Sequence, residues 1–101
     1  MKISEETRKA YKKILEKFKK GAYNAAAHRF ATLLKDYPGS MQEPEALYYL
    51  GLSYKNIGQH GLAFTTLQTL IKKFPSLEIS SKAKEELSSV GYLILKSDNG
   101  K

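Results

Sequence analysis

The chain contains no cysteine. That removes disulfides, thiol catalysis and most structural zinc sites. No run of about 18 apolar residues occurs, so no segment reads as a membrane-spanning helix. The opening stretch, MKISEETRKAYKK, lacks the apolar core of a signal peptide. As written, the chain is expected in the cytoplasm, or in the periplasm if an upstream signal has been removed. β-Branched runs are few and no useful segment alternates apolar and polar residues, so strands are not expected. There is no glycine-rich phosphate loop and no Gly-x-Ser-x-Gly element. No enzymatic activity, cofactor, metal or small-molecule substrate is therefore expected.

What is present fits one small soluble domain. The chain has 101 residues, 42% hydrophobic and 27% charged, enough for a thin core that must be compact or stacked. The formal charge is +7 and is unevenly spread. Residues 1–20 hold eight basic residues against Glu5, Glu6 and Glu16, a net of +5, whereas residues 76–101 balance four against four. A basic first segment suits an acidic partner surface, although a solvated lysine face has the same composition.

Glycine and proline divide the chain. Gly21, Pro38-Gly39, Pro44, Gly58 and Pro75 separate five stretches of helical length. The first is expected over about residues 5–20, capped by Ser4 with Glu5 and Glu6 in its first turn, where the helix dipole favours negative charge. Its apolar face is Tyr11, Ile14, Leu15 and Phe18. The second runs from Tyr23 to Tyr37 through Ala26, Ala27, Phe30, Leu33 and Leu34. The third starts at Pro44, a favourable first-turn residue, and carries Leu47, Leu50, Gly51 and Tyr54. The fourth covers about residues 59–74 with Ala63, Leu67, Leu70 and Ile71. The fifth spans about 78–96 with Ala83, Leu87, Val90 and Ile94, followed by a frayed tail over 97–101.

Sliding the chain by 37 residues exposes an internal repeat. Gly21 falls on Gly58, Ala26 on Ala63, Phe30 on Leu67, Leu33 on Leu70, Leu34 on Ile71, Tyr37 on Phe74 and Pro38 on Pro75. Ala46 then falls on Ala83 and Leu50 on Leu87. The glycines permit a tight turn inside each helix pair. The small alanines let helix backbones approach, and each aromatic–proline step fills space and then ends a helix.

These positions resemble the tetratricopeptide (TPR) repeat family. Residues 44–75 are similar to its pattern through Leu47, Leu50-Gly51, Tyr54, Gly58, Ala63, Leu67, Leu70 and Pro75, with His60 where tyrosine is usual. The first repeat follows it through Gly21, Tyr23, Ala26, Phe30, Leu33 and Pro38. Its first helix departs: Ile14-Leu15 replaces Leu-Gly and the turn before Gly21 is one residue shorter. The phrase YPGS…EALYYLGLSY is similar to bacterial envelope TPR domains of the Tol–Pal coordinator and outer-membrane assembly lipoprotein type.

The resemblance implies an all-α fold: two antiparallel helix pairs, about 7–38 and 44–75, and a closing helix at about 78–96, in one domain wound as a right-handed α-solenoid. It also implies a non-catalytic scaffold that takes a peptide or helix of another protein in a concave groove. That groove would collect Lys9, Lys12 and Glu16 from the first helix, Tyr48, Leu52, Lys55 and Asn56 from the third, and Lys82, Glu85 and Ser89 from the fifth. A mixed basic, aromatic and apolar wall suits a segment of acidic character. Family members that capture C-terminal carboxylates carry Lys and Asn one turn apart. Here Glu16 follows Lys12, and Tyr48 precedes Leu52, so that ligand is not expected.

Other chemistry finds little support. His28 is expected to face solvent and His60 to top the fourth helix, with no ligand spacing between them. Adjacent Glu85 and Glu86 diverge by about 100° on a helix and cannot clamp one substrate. Serines 80, 81, 88 and 89 read as cap and surface residues. The alternative functions are nucleic-acid binding through the basic first helix, disfavoured by the scarcity of arginine, with only Arg8 and Arg29, and self-assembly. The end of the fifth helix is too apolar for one buried stripe, which makes Tyr92, Leu93 and Leu95 candidates for a homodimer contact.

Overall fold

Five helices follow the glycine and proline punctuation. In the structure, a computed structural model that describes residues 2–99 and side chains over residues 4–96, they are α1 (Lys2–Lys19), α2 (Tyr23–Asp36), α3 (Glu43–Asn56), α4 (His60–Lys73) and α5 (Glu78–Asn99). No strand occurs among the described residues. Helix α1 starts at Lys2, so Ser4 lies inside the helix and is not its cap. Helix α5 continues through residues 97–99, where a frayed tail is expected from the sequence. Gly100 and Lys101 lie outside the described residues.

Both turns inside the pairs close in the same way. Gly21 and Gly58 take φ of +86° and +82°, a conformation open to glycine at little cost. Gly21 N–H donates to the Phe18 carbonyl and Ala22 N–H to the Lys17 carbonyl; Gly58 N–H donates to Lys55 and Gln59 N–H to Tyr54. These bonds satisfy the last carbonyls of α1 and α3 in a Schellman arrangement. The shorter first turn is therefore absorbed by the register of the α1 side chains, because the hydrogen bonding counted from the glycine is unchanged. Phe18, nearer its glycine than Tyr54, lies edge-on to Tyr23 at 5.3 Å and to Tyr49 at 5.1 Å. Pro38 and Pro75 both lie beyond helix ends.

The apolar faces pack in two clusters. Tyr11, Ile14, Ala26, Ala27, Phe30, Leu33, Ala46 and Leu50 form the first. Leu47, Ala63, Leu67, Leu70, Ala83 and Val90 form the second, and Leu34 and Tyr54 touch both. Ala26, Ala46, Ala63 and Ala83 are fully buried, and their small side chains permit close helix packing. At Gly51 the fit is tightest: an added Cβ would lie 2.7 Å from Leu67 Cδ2.

The links between pairs carry buried polar groups that the apolar pattern does not reveal. Glu43, whose side chain is only 8% exposed, accepts the Gly39 N–H at 2.9 Å and an ion pair from Lys73. One repeat later, at the equivalent position, Ser80 is fully buried and its hydroxyl donates to the Phe74 carbonyl. Ser80 is thus a link fastener and not the surface residue expected. Thr7 of α1 is also fully buried.

Candidate protein-binding face

The helices form two layers. Helix α1 packs near α3, and α3 near α5, whereas no Cα of α2 comes within 8 Å of a Cα of α4 among the described residues. The odd-numbered helices are therefore closer neighbours of one another than the even-numbered ones, and α1, α3 and α5 share one side of the stack. With extents of 51 × 29 × 19 Å, the molecule presents this side as an elongated wall.

Side chains stitch the wall together. The Tyr11 phenol of α1 lies close enough to the Glu45 carboxylate of α3 to feel its charge. Burial, and then the neighbouring Glu45 charge, push the Tyr11 pKa well above the ordinary tyrosine value. Between α3 and α5, Lys55 Nζ meets Glu86 Oε1 at 2.9 Å in a partly buried ion pair. Tyr48 stands edge-on to Tyr49, with centroids 5.2 Å apart and planes at 81°. Tyr49 is held in turn by Phe18 and Phe30. Burial first, and then the Glu86 charge, raise the Tyr48 pKa, so its hydroxyl remains a neutral donor.

The expected site residues divide into two groups. Tyr48, Leu52 and Lys55 are half-buried along α3. Lys9, Lys12, Glu16, Asn56, Lys82, Glu85 and Ser89 are exposed. Asn56 turns its amide back to the Leu52 carbonyl at 2.8 Å. Among the described residues, Lys9, Lys12, Glu16, Lys82 and Ser89 form no side-chain hydrogen bond or ion pair. The structure thus joins the α3 residues to α5 through Lys55, and leaves the α1 residues as a separate exposed row.

Glu45 and Glu86 are the members that the sequence reading missed. Glu86 lies 31 residues from Lys55, and only the α3–α5 crossing brings the two together. Glu45 had a weak signal, since it sits one repeat before Lys82 in the 37-residue register. With both included, the middle of the wall carries paired or balanced charge. Unpaired positive charge sits on α1, in Lys9 and Lys12, and on α5, in Lys82.

The histidines lie apart, in different helix pairs. His28 is exposed on the rim of a shallow cleft between α1 and α2, with Lys13, Lys17 and Arg29. His60 is the half-buried first residue of α4. Among the described residues no group of three or more His, Asp or Glu is placed to hold a metal ion. No helix of the described residues is long and apolar enough to cross a membrane.

Comparison with known families adds one match. Residues 45–76 match the family model described as Tetratricopeptide repeat, a span that takes in α3 from Glu45, all of α4 and the step through Pro75 to Ser76. No curated protein matches the chain. Tetratricopeptide repeats generally mediate protein–protein interactions and are typically non-catalytic. On an all-helical frame of five helices, α3 and α4 are thus the part of the chain that is similar to a tetratricopeptide repeat.

Proposed function

We propose that the protein is a non-catalytic scaffold that binds a peptide or helix of a partner protein along the α1/α3/α5 side. The observation that carries this reading is the Tyr48–Leu52 turn of α3. Both side chains are half-buried rather than sealed in the core, and they stand between charged rows on α1 and α5. Half-exposed aromatic and aliphatic side chains with a polar rim are what a docked helix or extended segment needs. Tyr48, fixed by Tyr49 and kept as a neutral donor, offers both apolar area and a hydrogen bond.

The charge pattern narrows the ligand. Lys55 is occupied by Glu86, so Lys9 and Lys12 on α1 and Lys82 on α5 are the cations of this side free to meet a partner. An amphipathic segment with its acidic end over α1 fits best. The similarity of the 37–54 region to bacterial envelope domains makes envelope proteins the first candidates to screen.

The test is selection of binding peptides from a displayed library, followed by affinity measurement with the Tyr48→Ala/Leu52→Ala variant. The expected result is a loss of about tenfold or more, about 1.4 kcal/mol, in a variant that still unfolds cooperatively. Full affinity in the variant, or its failure to fold, overturns the reading. Binding of an added oligonucleotide that releases steeply with salt, with no peptide selected, would favour the basic first helix instead.

A further inference from the structure

We infer that the free face of α5 is a two-fold contact between copies of this chain, in which Leu95 of each copy seats against Ser88 of the other. The inference is independent of the α1/α3/α5 wall.

Helix α5 buries Ala83 and Val90 completely. Its other side is open. Leu87, Ser88, Gly91, Tyr92, Ile94 and Leu95, with Phe64 of α4, line an apolar groove, and Tyr92 and Leu95 are 63% and 64% exposed. Leu93, a candidate from composition, is half-buried and does not line this groove.

The internal repeat says what such a face is shaped to take. In the 37-residue register, Leu87, Ser88 and Gly91 stand where Leu50, Gly51 and Tyr54 stand on α3. On α3 that small residue is a seat. The antiparallel α4 drops Leu67 onto Gly51 so closely that a Cβ there would sit 2.7 Å from Leu67 Cδ2. On α5 the seat is still small, with Ser88 followed one turn later by Gly91, where an added Cβ would meet only Phe64 at 3.6 Å. The face therefore accepts an antiparallel helix that carries a leucine.

Helix α5 itself supplies that leucine. Ser88 and Leu95 are seven residues, about two turns, apart and share one face. In two copies of α5 run antiparallel about an axis between Gly91 and Tyr92, position 88 lies opposite 95 and position 91 opposite 92. Each Leu95 then meets the other copy's Ser88, and each Tyr92 covers the other copy's Gly91. Knob and seat lie on one patch, as an isologous contact requires. Charge favours the same end. The chain carries +7 overall, of which +5 sits in residues 1–20, but residues 76–101 are balanced, so two copies meeting through α5 hold their basic first helices apart.

One helix pair with a Phe64 rim lies at the small end of specific interfaces, below about 1,200 Å². The contact is therefore expected to be weak and concentration-dependent, with a dissociation constant on the order of 10–100 µM. Sedimentation velocity of the full chain from about 1 to about 500 µM is expected to show a monomer–dimer transition. Higher salt should strengthen it by screening the net charge. Leu95→Lys, a change at an exposed position, should abolish the transition without lowering the melting temperature. Because the chain has no native cysteine, Tyr92→Cys should form an interchain disulfide under mild oxidation, whereas His28→Cys, on exposed α2, should not. A chain monomeric throughout, or equal cross-linking at both positions, overturns the proposal. So does a monomeric chain that instead binds an added amphipathic helix at this face, since the occupant would then be a different partner.

Discussion

Replacing Gly51 with Ala tests the tight fit of α4 against α3. The added methyl carbon would lie 2.7 Å from Leu67 Cδ2 and 2.8 Å from Leu67 Cγ, against about 3.5–4.0 Å for ordinary carbon contact. Leu67 is fully buried within the second cluster, so it cannot swing into solvent and α3 must separate from α4. Overpacking of this kind costs about 1–3 kcal/mol, while Ala gains roughly 0.5–1 kcal/mol over Gly within a helix. The net is a destabilisation of about 1–2 kcal/mol. In a domain of this size each kcal/mol moves Tm by about 4–8 °C, so the variant should melt roughly 5–15 °C lower by circular dichroism. Gly61→Ala is the control: it is also helical, but its Cβ meets nothing within 4 Å, and it should leave Tm unchanged or raise it slightly. If Gly51→Ala melts at or above the parent, Leu67 is not seated on Gly51 and the repeat packing is misread.

Two further outcomes follow from local geometry. Gly58→Val has open space around it but forces a β-branched residue to φ of +82°, which should cost about 1–2 kcal/mol; an unchanged urea midpoint would show that the turn relaxes. Tyr11 is held above its ordinary value of 10.0 by burial and by Glu45, so above that pH the unfolded chain loses its phenolic proton first. Its contribution to stability is therefore complete below about pH 10 and falls as pH rises further. Urea titrations at pH 9 and 11 should show that fall reduced in Tyr11→Phe, and an equal fall in both proteins would assign the effect to other groups.

The helical frame was legible because its punctuation is local. A glycine at the end of a helix and an aromatic–proline step act on the backbone beside them, so Gly21, Gly58, Pro38 and Pro75 mark the same boundaries in sequence and structure. Side chains that depend on distant partners were not legible. Ser80 reads as a cap until the Phe74 carbonyl is seen folded back against it. Glu43 reads as a first-turn carboxylate, yet it is buried between Gly39 and Lys73, 30 residues away. Glu86 reads as one of an adjacent, diverging pair, and only the α3–α5 crossing gives it Lys55. At the start of α1 the reverse holds: Ser4 offers a good local cap, and the helix nevertheless begins at Lys2.

The central claim is that the α1/α3/α5 side binds a protein segment. The most direct measurement is titration of the isotopically labelled chain with a selected peptide, following backbone amide resonances by NMR. Shifts should concentrate on and around Lys12, Glu16, Tyr48, Leu52, Lys82 and Glu85, with His28 of α2 and Thr65 of α4, both exposed on the other layer, unmoved. Shifts centred on α2 and α4, with the Tyr48–Leu52 turn silent, would contradict the account.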